Sequence, residues 1–231
     1  MSRRTGFRVA TWNIHSAIGA DGRHDPERTL AGIRTLDAEI TALQEVDSRI
    51  NGRNGFLEFQ AGREHAAAAA KTIVAPNGEY GHMLLSRWPI ERCRTHDLSV
   101  AGRERRSAID AVVDTGAGRL RVIATHLGLF FRERRRQVEI LATLLDHDPA
   151  LPTIVLGDFN EPTARGPASR RFAPKLARAG RWRTYPSRRP VLPLDRIWYS
   201  RDLGLVGSRV AAEASKASDH LPLVAEFSHP A

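Results

Sequence analysis

Residues 153–160 read Thr153-Ile154-Val155-Leu156-Gly157-Asp158-Phe159-Asn160, four strand-forming residues running straight into a glycine, an acid and an amide. An unbroken run of β-branched and aliphatic residues reads as a buried strand, and the polar residues behind it mark where the strand stops. The same arrangement recurs in Thr11-Trp12-Asn13-Ile14-His15, Leu43-Gln44-Glu45-Val46-Asp47, Ala124-Thr125-His126-Leu127, Leu194-Asp195-Arg196-Ile197 and Ser218-Asp219-His220-Leu221-Pro222. One such Asp or Asn is ordinarily a turn residue or a helix cap. A whole set of them is hard to explain that way. Polar groups at strand ends gather at one edge of a sheet, where ligands usually bind.

Working outward, strands are predicted at residues 8–13, 39–45, 80–86, 107–113, 120–125, 153–156, 194–199, 203–211 and 223–227. Asp25-Pro26-Glu27 opens a helix between the first two, because Pro suits the first helical position behind an Asp cap. Residues 56–71, with their five-alanine run, read as a second helix. Residues 132–145 read as a third, with Val138, Leu141, Leu144 and Leu145 at helical spacing. Strands and helices interleave without a repeat or a linker. The expectation is one α/β (α+β) domain over residues 1–231, with its core at about 7–228.

The chain has 231 residues and 42% hydrophobic content, enough for a sizeable core, which excludes general disorder. No run approaches the roughly 18 apolar residues of a membrane span. The start, Met1-Ser2-Arg3-Arg4-Thr5-Gly6-Phe7-Arg8, lacks the apolar centre of a signal peptide, so a soluble, cytoplasmic protein is expected. A lone Cys93 excludes an internal disulfide and a thiolate metal cluster. Lys+Arg number 35 against 26 Asp+Glu, for a net charge of +9, and only Lys71, Lys175 and Lys216 are lysines. Guanidinium forks pair with phosphate oxygens at two points, which biases such a chain toward phosphate-bearing partners. A base composition favouring Arg codons reads equally well.

Taken together, Leu-Gln-Glu at 43–45, Gly-Asp-Phe-Asn at 157–160 and Ser-Asp-His-Leu-Pro at 218–222 resemble the endonuclease/exonuclease/phosphatase superfamily, and the match runs in order from Arg8 to Phe227. The resemblance implies a four-layer α/β/β/α sandwich of two packed mixed β-sheets. It also implies a divalent-metal phosphoesterase site at one end. The residue chemistry agrees, since oxygen ligands such as Glu45 suit Mg²⁺, with Mn²⁺ as the other candidate.

By that resemblance Glu45 is the main metal ligand, Asn13 touches metal or phosphate, and Asp219 supports the metal or its waters. Asp158 orients or deprotonates the attacking water, Asn160 binds a phosphoryl oxygen, and His126 donates to the transition state. His220 is a general base or a phosphate-contacting imidazolium oriented by Asp195. The sequence leaves Asp158 and His220 open as proton acceptors. Tyr80 and Arg106 are further substrate contacts. His82 stands where the family often has an Asn, and Arg103 and Arg105 leave the register of Arg106 open. His15 and Asp47 read as pocket-lining or solvated loop residues, and Trp12, Trp88, Trp182 and Trp198 as sheet packing.

The expected substrate is a phosphate ester, with nucleic acid first and an anionic lipid or inositol-type phosphate as the alternative. Thr125-His126-Leu127-Gly128 departs from the abasic-site branch, and Leu156 and Glu161 depart from the inositol 5-phosphatase branch. Arg132, Arg134, Arg135 and Arg136 crowd a predicted first helical turn, where the helix dipole disfavours cations, so an anion is expected to neutralise them unless they form a solvated face. A second cluster holds Arg165, Arg170, Arg171, Arg178, Arg181, Arg183, Arg188 and Arg189. A non-catalytic phosphate-binding module is disfavoured because Glu45, Asp158 and His220 are all present. Nothing in the sequence calls for an obligate protein partner.

Overall fold

The computed structural model describes residues 6–50, 55–61 and 66–228. Residues 1–5 of the start, residues 62–65 of the segment expected to be helical, and the domain's last residues, 229–231, lie outside them. In chain order the elements are β1 (Gly6–Asn13), α1 (Pro26–Leu36), β2 (Ile40–Asp47), α2 (Gly55–Ala61), β3 (Ala66–Ala75), β4 (Gly78–Ser86), β5 (Ile90–Asp97) and β6 (Ser107–Asp114). There follow β7 (Arg119–His126), α3 (Phe131–Leu145), β8 (Thr153–Asp158), α4 (Pro167–Phe172), β9 (Leu176–Arg178), β10 (Asp195–Ser200), β11 (Leu205–Val210) and β12 (Leu223–Ser228). One mixed sheet has the order β11-β12-β1-β2-β4-β3 and the other β5-β6-β7-β8-β10-β9.

Alternation along the strands makes three apolar layers of these sheets. Phe7, Val9, Ile40 and Leu84 of the first sheet meet Ile109, Val122, Leu156 and Ile197 of the second between the sheets. Trp12, Leu43 and Met83 face outward onto Leu30, Ile33 and Leu36 of α1. Ile123 and Val155 face the other way, onto Val138 and Leu141 of α3 and Phe172 of α4. The four-layer α/β/β/α sandwich follows from that division.

Asp25 caps α1 by accepting from the Arg28 amide at 3.0 Å, with Pro26 in the first turn. Gly32 lets α1 lie against the first sheet, since a Cβ there would meet the Trp12 ring at 2.7 Å. Gly157 does the same work inside a sheet. Its φ is 151°, and a Cβ would fall 1.9 Å from the Thr125 carbonyl oxygen on the neighbouring strand. Only glycine allows that approach, which is why it precedes Asp158.

Residues 56–71 are not one helix. The helix α2 stops at Ala61, and the alanine run at 66–70 lies in β3, in register with β4 from Ala66↔Ser86 to Ala70↔His82. Alanine's helix propensity is worth only tenths of a kcal/mol per residue, and the open edge of β4 offers a ladder that outweighs it. In α3 the expected apolar positions are buried, but Arg134 is buried too. Its guanidinium donates to the carbonyls of Gly128, at 3.3 Å, and Leu129. It therefore closes the loop before α3, and only Arg132, Arg135 and Arg136 of that group are exposed. Among the described residues no helix is long and apolar enough to cross a membrane.

Candidate active site

Register brings the strand-end polar residues together. Parallel pairing of β7 with β8 sets His126 beside Asp158, and antiparallel pairing of β8 with β10 sets Asp158 beside Asp195. In the other sheet β1 and β2 are parallel, with Asn13 beside Gln44. Glu45 follows in a bulge with φ of 58°, which turns its side chain toward Asn13.

Asp158 is the hub. Its Oδ2 lies 3.1 Å from Asn13 Nδ2, 3.6 Å from His126 Nε2 and 3.8 Å from His220 Nε2. Its Oδ1 accepts from the Asn160 amide at 2.8 Å, across a tight turn in which Asn160 has φ of 50°. Asn13 Nδ2 also donates to Glu45 Oε1 at 2.8 Å, so one amide bridges two carboxylates from different sheets. Asn160 Nδ2 donates to the Leu127 carbonyl at 2.8 Å and lies 3.3 Å from His126 Nε2.

His220 is held on three sides. Its Nδ1 lies 2.8 Å from Asp195 Oδ2, its carbonyl accepts from Trp12 Nε1 at 3.0 Å, and its amide donates to Ser218 Oγ at 3.1 Å. Ser218 Oγ in turn donates to the Asn13 carbonyl at 2.7 Å, tying this loop to β1. The Tyr185 ring lies 4.9 Å from the imidazole.

The electrostatics divide the site. Burial opposes charge on His220, but Asp195, Asp158 and Asp219 outweigh it and hold its pKa up, to about 10. Burial and the nearby Arg106 guanidinium push His126 the other way, to about 3. Burial also raises Glu45, opposed by the Asn13 hydrogen bond and reinforced by the charge of Asp158. Two carboxylates repel each other there, and the oxygens of Glu45 and Asp158 face one another across the Asn13 amide nitrogen. That set fits a hard divalent cation, which would relieve the repulsion. Ligand atoms of Asp158, Asp195 and His220 also lie within 4.8 Å of one another. The Asp195–His220 contact already occupies two of the three, so the Glu45 side offers the better donors.

The remaining expected residues sit around this centre. Tyr80 is half-buried near the charges of Glu45 and Arg106, and burial drives its phenol above the usual range. Arg106 is buried and held by Glu104, at 2.7 and 3.3 Å. Asp219 is partly exposed, with its Oδ1 3.7 Å from His15 Nδ1. Asp47 is paired with Arg49 at 2.8 and 2.9 Å and does not line the centre as a free carboxylate. Trp12, Trp88, Trp182 and Trp198 pack in the cores as expected. Sequence reasoning missed Arg49, which lies 5.0 Å over the Tyr80 ring, and the anchoring roles of Trp12 and Ser218. No spacing rule connects residues that meet only through two sheets and a loop.

The sequence model of the endonuclease/exonuclease/phosphatase family matches residues 10–220. The chain belongs to that family. It is 30% identical to the uncharacterized protein YbhP of Escherichia coli (strain K12), over 98% of both chains. Among solved structures, an endonuclease/exonuclease/phosphatase from Beutenbergia cavernae superposes with a TM-score of 0.81 at 22% identity, covering 98% of this chain and 72% of that one. A mannosyl-6-phosphatase from Bacteroides thetaiotaomicron gives 0.79 at 16% identity, covering 96% and 99%. The family includes nucleases, phosphatases and phosphodiesterases and depends on divalent metals.

Proposed function

We propose that the chain works as one metal-dependent phosphodiesterase, using Mg²⁺ or Mn²⁺, that hydrolyses P–O bonds by in-line attack of water. The observation that carries this reading is the convergence on Asp158 Oδ2 of Asn13, His126 and a His220 already paired with Asp195. Glu45 and Asn13 would hold the cation, with Asp219 supporting it from the rim. The bound metal supplies positive charge to the phosphoryl oxygens.

The charge on His220 supports one assignment of the proton roles. His220, cationic at neutral pH, is a donor to a phosphoryl oxygen, and Asp158 is the group that takes the proton of the attacking water. The 3.8 Å between their facing atoms is too long for a direct hydrogen bond and suits a bridging oxygen. His126, neutral, and Asn160 bind the phosphoryl group from the second sheet, and Arg106 and Tyr80 meet the substrate beside them.

Nucleic acid is the first substrate class. A cavity of about 490 Å³ beside Asp219 carries Arg188 and Arg189, and Arg132, Arg135 and Arg136 are exposed on α3 a few residues beyond His126. One observation favours a lipid headgroup as the second reading. Leu129, Phe130 and Phe131, immediately after His126, are 66%, 53% and 54% exposed, which suits insertion into an anionic lipid surface. A Mg²⁺-supplemented screen across DNA, RNA, phospholipid vesicles, inositol phosphates and sugar phosphates tests both. Nucleic-acid cleavage whose binding falls about 10³-fold between 50 and 200 mM salt, the cost of roughly six phosphate contacts, supports the first. Hydrolysis confined to vesicles supports the second, and no hydrolysis of any ester overturns the proposal.

A further inference from the structure

A second cavity, of about 630 Å³, lies on the outer face of the second sheet. Trp198 lines it and packs at 5.8 Å against Phe172, in the helix-side core, whereas the catalytic edge lies at Asp195, three residues earlier on β10. At strand rise that is about 10 Å away. Between them Arg196 forms a buried ion pair with Glu161 at 2.9 Å and donates to the carbonyls of Glu161 and Thr163. The cavity is therefore a separate compartment from the hydrolytic centre.

Arg165, Arg170, Arg178, Arg181 and Arg201 line this cavity, and no acid does. None of the five forms an ion pair among the described residues, and Glu161, whose charge Arg178 feels, is already engaged by Arg196. Arg178 is half-buried, stacked 5.8 Å over the Trp198 ring, and it feels the repulsion of Arg181. Trp198 Nε1, itself buried, has no hydrogen-bond partner. Converging cations without counter-charges are the features of an anion site. One phosphate carries at most about two negative charges, so five guanidiniums call for more than one.

We propose that this cavity is a second phosphate-binding site that takes a compact anion carrying at least two phosphate groups. It goes beyond the proposed hydrolysis and does not depend on it. The phosphates belong either to a free polyphosphate ligand or to a distal part of the substrate.

Sodium tripolyphosphate is titrated calorimetrically into the full chain in metal-free buffer at fixed ionic strength, against Arg170→Ser/Arg181→Ser. Both side chains are exposed, so the variant should keep the parent's melting temperature. Binding should weaken at least about tenfold, the loss of one charge-assisted hydrogen bond. Hydrolysis of a small aryl phosphodiester should be unchanged in the variant. Displacement of a bound oligonucleotide by tripolyphosphate would assign the phosphates to the substrate, and its absence would assign them to a separate ligand. A parent that binds tripolyphosphate no tighter than sulfate, or a variant that binds it as the parent does, overturns the site. Failure of the phosphodiesterase reading would look different, as tripolyphosphate binding intact with no turnover of any ester.

Discussion

Asp195→Asn changes one atom and should disable the site through its neighbour. Asp195 is buried, and its Oδ2 lies 2.8 Å from His220 Nδ1. Burial alone would lower the imidazole, yet His220 stands at about 10 against an ordinary 6.5, a difference worth about 5 kcal/mol in favour of the cation. Asp195 is the largest contributor on the raising side. A carboxylate at this range shifts a partner by about 1–3 units. The His220 titration in metal-free Asp195→Asn, followed by imidazole NMR, should therefore move down by that amount. Turnover should fall on the order of 10²-fold or more, as it should in His220→Ala. The double variant should be little worse than either single, because orientation matters only while the imidazole is there. An unmoved His220 titration, or fully additive losses, would refute the pairing.

Glu161→Gln should cost about 3–5 kcal/mol in a denaturant titration, because it leaves Arg196 buried without its charge partner; a loss under about 1 kcal/mol would contradict that. His82 is fully buried, and burial and Arg106 hold its pKa at about 4, below the ordinary 6.5. The unfolded chain therefore takes up a proton that the folded chain refuses. The stability from His82 is complete above pH 6.5 and lost as pH falls toward 4, by up to about 3 kcal/mol. His82→Asn should flatten that part of the acid-denaturation curve, and an unchanged curve would contradict it. Arg135→Ser/Arg136→Ser should reduce the salt slope of nucleic-acid binding by about 2, whereas Arg134, which ties down residues 128 and 129, belongs to the fold and should lower stability when removed.

Strand-end polar residues made the site legible because register across a sheet is local. His126 and Asp158 close their strands and Asp195 opens the neighbouring antiparallel one, so the sequence motifs carry their meeting directly. The alanine run at 66–70 misled because its pairing partner, β4, decides its state, and no local propensity reports on a partner. β5 and β9 were not anticipated. β5 is largely exposed and lacks a clear alternation, and β9 has three residues. Arg134 was misjudged for a similar reason. A helical-turn rule sees the dipole but not the two carbonyls that fold back onto the guanidinium. The arginines at 165–189 read as a charge cluster, but the concavity that sets four of them, with Arg201, around Trp198 exists only once β9, β10 and α4 are packed.

In the proposed mechanism, Asp158 organises water attack on the phosphate ester. Asp158→Asn keeps the shape of the side chain and its hydrogen bond from the Asn160 amide, while removing the base. With Mg²⁺ present, phosphodiester turnover by Asp158→Asn should fall at least about 10²-fold below the parent, with melting temperature close to the parent value. The parent itself should lose turnover in EDTA and regain it when Mg²⁺ or Mn²⁺ is restored. Near-parent turnover by Asp158→Asn, or parent turnover that survives metal removal, would contradict the account.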